Sequence, residues 1–112
     1  MDPEEARSVR EAEQLESARI VGVDTVDFLG LADGVLSAES DCVARSVRPY
    51  RRHRPEIVIT NNFRDTWGGL NLNQADHIAT GRATSDAVRD AANRWVFNDQ
   101  IVEGLERWDG VQ

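Results

Sequence analysis

The residues best suited to chemistry lie in one short segment, Asn71-Leu72-Asn73-Gln74-Ala75-Asp76-His77. A polar loop from Asn61 to Asn73, containing Trp67-Gly68-Gly69, runs here into a strong helical pattern. The first turn of a helix that follows a parallel strand lies at the carboxyl edge of the sheet, where α/β folds bind ligands. Near the positive end of a helix dipole an imidazole is favoured in its neutral form, with a lone pair to offer a metal. His77 is therefore a candidate metal ligand. Asp76 is a candidate to orient a neighbouring ligand or the water a metal activates. The same residues also serve folding. Asn73 is a good helix N-cap, and Asp76 three positions later suits the dipole. Both readings stay open on sequence grounds.

The elements that would position this segment follow from pattern. Pro3 to Ile20 reads as a helix: Pro3 suits the first helical position, and Glu4 and Glu5 complement the dipole. Val9, Ala12, Leu15 and Ala18 form its expected buried stripe, and Gly22 stops it. Val23 to Leu29 is β-rich and short, which predicts a strand, and Asp33-Gly34 marks a turn. Asp41 to Arg54 predicts a second helix, with a kink or a new start at Pro49. Ile57-Val58-Ile59-Thr60 is entirely β-branched and predicts a central strand covered on both faces. Gln74 to Val96 predicts the strongest helix. Ala75, Ala79, Ala83, Ala87, Ala91 and Trp95 recur every four positions, and the small side chains would let the backbone lie close to a sheet. Ile101 to Leu105 predicts a helical turn or more. Alternation of helix and strand predicts an α/β fold: a Rossmann-like parallel sheet with flanking helices. Two strands are too few to cover these helices, so the 112 residues read as a single partial domain, with strands of a larger sheet lying beyond it.

Composition excludes several classes. The chain has 20 acids and 13 bases, a formal net charge of −7, and every base is arginine. An anionic chain of this kind is no general nucleic-acid binder, because neutralising phosphates needs surplus cation. The absence of lysine excludes Schiff-base chemistry and a P-loop. The single Cys42 excludes an intrachain disulfide and a zinc finger. No apolar run reaches membrane-spanning length and the N-terminus is acidic, so a cytoplasmic protein is expected. Arg48, Arg51, Arg52 and Arg54 read as a solvated helix end, with contact to a phosphate or an acidic partner as the alternative. Trp67 beside two glycines could stack on a sugar or pack within its loop. His53 and Glu56 have only a superficial metal-ligand spacing.

In order along the chain, Arg10-Glu11-Ala12-Glu13, Ile20-Val21-Gly22-Val23 and Phe28-Leu29-Gly30-Leu31-Ala32-Asp33-Gly34 resemble one known family, as do Arg54-Pro55-Glu56-Ile57-Val58-Ile59-Thr60, Leu72-Asn73-Gln74-Ala75-Asp76-His77 and the segment from Asp86 to Phe97. It is the LmbE-like, or PIG-L, deacetylase family. It includes the N-acetylglucosaminyl-phosphatidylinositol de-N-acetylases and the mycothiol-pathway sugar deacetylase. The resemblance implies a Rossmann-like fold and a zinc ion (Zn2+) at the carboxyl edge of the sheet. It implies hydrolysis of the acetamide of an N-acetylated amino sugar or glycoconjugate by zinc-bound water. His77 matches the family's later metal-ligating histidine, with Asp76 its carboxylate neighbour. Arg10 and Asp33 match residues implicated in holding the sugar, and Asn73 belongs to the same substrate-facing segment.

The sequence also departs from that family. It contains no His-Pro-Asp-Asp motif, from which the family takes two further metal ligands and its general base. Gln74 stands where some members carry a histidine suited to proton donation, and Ile78 stands where this branch often has arginine. The expectation is a truncated deacetylase, inactive alone. The alternative is a non-catalytic remnant or interaction module that keeps the α/β scaffold. Its unpaired edges would invite self-association or a complementing chain.

Overall fold

The computed structural model describes residues 1–31 and 40–112, which form two compact units, Met1–Gly30 and Leu31–Gln112. The first unit is built on helix α1, Pro3–Val21. Asp2 caps it by accepting a hydrogen bond from the Glu4 amide (2.9 Å), Pro3 enters where no amide is needed, and two acids fill the first turn. Gly22 ends the helix at φ 78°, and Val23 donates back to the Ala18 carbonyl (2.8 Å). This is a Schellman closure, and the left-handed position is one that glycine alone adopts without strain. The expected apolar stripe is mostly exposed. Ala18 is buried, but Val9 and Leu15 are not.

The second unit is organised by two helices. Helix α2, Ser40–His53, continues through Pro49, so of the kink or new start expected there the new start does not occur. It ends at Arg54, whose φ of 53° reverses the chain ahead of Pro55. Helix α3 spans Ala75–Ala91, shorter than the pattern to Val96 suggests. Cys42, Val43 and Val47 of α2 pack on Ala83, Ala87 and Ala91 of α3, with Leu31, Tyr50 and Phe97 around them. The small face of α3 therefore receives another helix rather than a sheet. Alanine every fourth residue removes the side-chain bulk that would hold two helix backbones apart. Gly81, on the same helix, is buried because the Phe63 ring occupies the space a Cβ would need. Helix α3 is followed by the short helix α4, Asn98–Val102, which is tied to α2 by Gln100 donating to the Ala44 carbonyl (3.0 Å).

Arg51 explains where α3 stops. Its guanidinium is buried, 2% exposed. It donates to the carbonyls of Asp90, Ala91, Asn93, Val96 and Phe97 and to Gln100 Oε1, at 2.8–3.4 Å. Helix-end carbonyls that lack an intrahelical partner need donors, and one planar fork supplies them. Desolvation pushes the Arg51 pKa down from its ordinary value. Arg51 is thus an interior residue, not part of a solvated basic end.

The sheet is the main correction to the sequence reading. The described residues contain one two-stranded antiparallel sheet, β1 (Thr66–Trp67) and β2 (Asn71–Leu72), with Thr66 opposite Leu72. Gly68 and Gly69 turn it at φ 64° and 91°. The molecule is a mixture of helices with this small hairpin, compatible with an α/β fragment, and the described residues form no parallel Rossmann sheet. Val23–Leu29 and Ile57–Thr60 lie outside any sheet. Ile57 and Ile59 are 73% and 91% exposed, the opposite of a strand covered on both faces. The reason is physical: β-branched residues favour extended backbone, but a parallel ladder also needs a neighbour and burial, and these two runs fall in different units.

Candidate functional site

The start of α3 is organised by the loop before it. Asn73 Oδ1 accepts from the Gln74 amide (2.9 Å) and from the Trp67 indole Nε1 (3.0 Å). Its Nδ2 donates to the carbonyls of Asn62 and Arg64, both at 2.9 Å. One amide side chain therefore closes the loop from Asn62 to Asn73 and holds the hairpin against the helix entrance. The N-cap position itself falls on Gln74, whose side chain makes no capping bond, so Asn73 sits one residue earlier than the sequence suggests.

This loop delivers Asp76 and His77 to the first turn of α3. His77 is exposed and Asp76 partly buried. Asn61, the residue directly after the β-branched run, donates from Nδ2 to the His77 carbonyl (3.3 Å). The carboxyl end of the 57–60 segment thus meets the turn that carries His77. Asn61 was not singled out from sequence, although its place immediately after a strand-like run was the available signal.

The sequence-derived candidates divide as follows. Asn73, Asp76 and His77 lie together in the second unit. Arg10 lies in the first, on α1, paired with Glu13 (2.8 Å) and with 82% of its side chain exposed. It borders a cavity of about 500 Å³ walled also by Arg7, Gln14, Asp27 and Phe28. Asp33 lies outside the described residues. Trp67 is 52% exposed, with its indole N–H engaged by Asn73 and much of its ring open to solvent.

A catalytic zinc ion takes three protein ligands and an open position. Asp76 and His77 are neighbours, but no group of three His, Cys, Asp or Glu side chains suited to a metal forms among the described residues. The described donor set is therefore too small for a complete zinc centre. Nor is any helix among the described residues long and apolar enough to cross a membrane.

No curated protein matches the chain. The family model described as PIG-L, GlcNAc-PI de-N-acetylase, matches residues 1–88. That span runs from the cap of α1 through most of α3 and includes Arg10, Asp33, Asn73, Asp76 and His77. With that match over most of its length, the chain belongs to the PIG-L family of deacetylase-type hydrolases.

Proposed function

We propose that this chain carries part of the site of an N-deacetylase acting on an N-acetylated amino sugar or glycoconjugate. In this reading His77 is a zinc ligand and Asp76 its carboxylate support, and Arg10, Asp33 and Asn73 are the residues proposed to serve the sugar, Asn73 by holding the loop. The observation that carries it is the exposed His77 on the first turn of α3, beside Asn61 at the end of the extended run. An exposed imidazole at a helix entrance is available to a ligand in a way that a packed one is not. The guanidinium of Arg10 and the carboxylate of Asp33 are the types of group that recognise polyols. With so few donors among the described residues, weak zinc binding and little turnover are expected of the chain alone.

The test is zinc titration of the whole chain and of His77→Ala, with release of acetate from N-acetylglucosamine conjugates followed in parallel. Weak zinc binding that disappears in the variant is expected. Tight one-to-one binding that survives His77→Ala would overturn the ligand assignment.

A second reading is favoured by the exposed Ile57 and Ile59. Unpaired extended backbone with apolar side chains is a template for strand pairing. The chain would then act as an interaction module, associating with itself or with a complementing chain. Sedimentation at micromolar concentration separates the two readings: a monomer throughout the range counts against the module.

A further inference from the structure

We propose a second ligand site, for a phosphomonoester, at the carboxyl end of α3, walled by Arg54, Arg89, Arg94 and Arg107. Two cavities of about 620 and 490 Å³ share Arg94, Arg107 and Asp109 in their walls. The larger adds Arg89 and Asn93, and the smaller adds Arg54 and Glu106. Four guanidinium groups thus face two carboxylates, in a chain whose net charge is −7. The cationic excess is a local construction rather than a property of the whole surface.

The pairing pattern shows which cations are available. Arg107 bonds Asp109 (3.0 Å), and Arg54 approaches Glu106 (3.7 Å). Arg89 and Arg94 enter no ion pair among the described residues. Arg89 senses the Asp90 carboxylate without forming an ion pair with it; two guanidinium groups outside any ion pair match the charge of a phosphate dianion, and the planar fork matches its oxygen spacing. Arg54 lies over the Trp108 ring at 4.5 Å and Arg94 over the Trp95 ring at 4.8 Å. Stacking holds a guanidinium by its flat face and leaves its in-plane N–H edge for an anion.

The backbone supports the same reading. The carboxyl end of a helix carries partial negative charge and ordinarily repels anions. Here the carbonyls of Asp90, Ala91 and Asn93 are engaged by Arg51 from beneath, which cancels much of that repulsion. The cavity wall is also fixed. The Trp108 amide donates to the Ala91 carbonyl (2.8 Å), and its indole N–H donates to the Pro55 carbonyl (2.7 Å). Arg89, Arg94 and Arg107 lie beyond the residues matched by the family, so this site stands independently of the deacetylase reading.

The test uses the full chain and two phosphomonoester probes, free glucose 6-phosphate and phosphatidylcholine vesicles doped with phosphatidic acid. Sodium chloride at matched ionic strength is the blank. We expect binding above the blank, weakened about tenfold by Arg94→Gln and further by Arg89→Gln with Arg94→Gln. Arg94→Lys restores part of the loss, because it returns the charge without the fork. Arg82→Gln, at an exposed arginine earlier on α3, leaves binding unchanged, and circular dichroism verifies that each variant is folded. Binding of the free sugar phosphate assigns a soluble ligand. Binding confined to vesicles, and lost in the double variant, assigns a lipid headgroup with the same chemistry. Probes that bind no better than chloride, or binding that survives the double variant, overturn the proposal.

Discussion

The two ends of α3 are built to opposite standards. At the amino end a loop pinned by Asn73 leaves Asp76 partly buried and His77 exposed. At the carboxyl end the helix runs into the buried Arg51, with its carbonyls claimed one after another. Between them the alanine face packs on α2. The entrance offers an exposed imidazole, while the exit ties its backbone carbonyls to a buried guanidinium and leaves arginine side chains outside. The difference shows how one helix can be anchored rigidly and still offer side chains to solvent: at the exit the backbone supplies the order and the side chains keep the access.

That contrast can be broken most severely at Arg51. Arg51→Met removes the shared donor, leaving the carbonyls of Asp90, Ala91, Asn93 and Phe97 with their backbone donors alone and the Val96 carbonyl without this bond, which should cost about 3 kcal/mol in urea denaturation. Arg51→Lys should rescue only part of it, because an ammonium cannot span the same set of acceptors. Next comes Gly81→Ala, whose new methyl would collide with the Phe63 ring. A loss of about 1–3 kcal/mol is expected, and Phe63→Leu, which keeps the nearest atoms Cβ and Cγ, should recover little of it. Asn73→Ala should cost about 1 kcal/mol and release the hairpin, read as a change in Trp67 fluorescence and faster amide exchange from Asn62 to Asn73.

A smaller effect sits at Asp90, whose carboxyl is pushed up by burial and by the neighbouring Asp86. A raised carboxylate pKa means that the folded state favours the protonated form. Its contribution is therefore present below the unfolded pKa and lost as pH rises through the folded one. Asp90→Asn should accordingly stabilise the chain slightly at neutral pH, with the gain vanishing on acidification below the ordinary carboxylate range. His77→Ala should change stability least, within about 0.5 kcal/mol, because an exposed side chain supports little packing. A large loss there would mean that the imidazole is structural and that the contrast between the two ends is false.

Helices were legible in the sequence because their signals are local. Asp2-Pro3-Glu4-Glu5 and Gly22 set the limits of α1 to within a residue, and the four-residue spacing of alanine marked the inner face of α3. What that face packs against was not legible, since small residues suit a sheet and a helix equally. The strands failed for a related reason: Ile57-Val58-Ile59 announces extended backbone, but sheet formation depends on partners that composition cannot display. The end of α3 is not legible from the alanine repeat, because it depends on the buried Arg51 of another helix. Its spacing of four from Val47, itself four from Val43, places it on the inner face and was the missed clue. In the candidate site, the neighbourhood of Asp76 and His77 at a helix entrance was readable from the Asn-rich loop before it. The multiple bonds of Asn73 were not, because a good cap and a loop clasp use the same amide.

Cys42 lends the helix pair a further property. It is the chain's sole thiol, and it is buried in the seam between α2 and α3. A thiol reagent can reach it only when that seam parts, so its labelling rate counts spontaneous breathing of the molecule. With no lysine elsewhere to compete for less selective reagents, the protein contains a chemical stopwatch for its own opening, without an introduced probe.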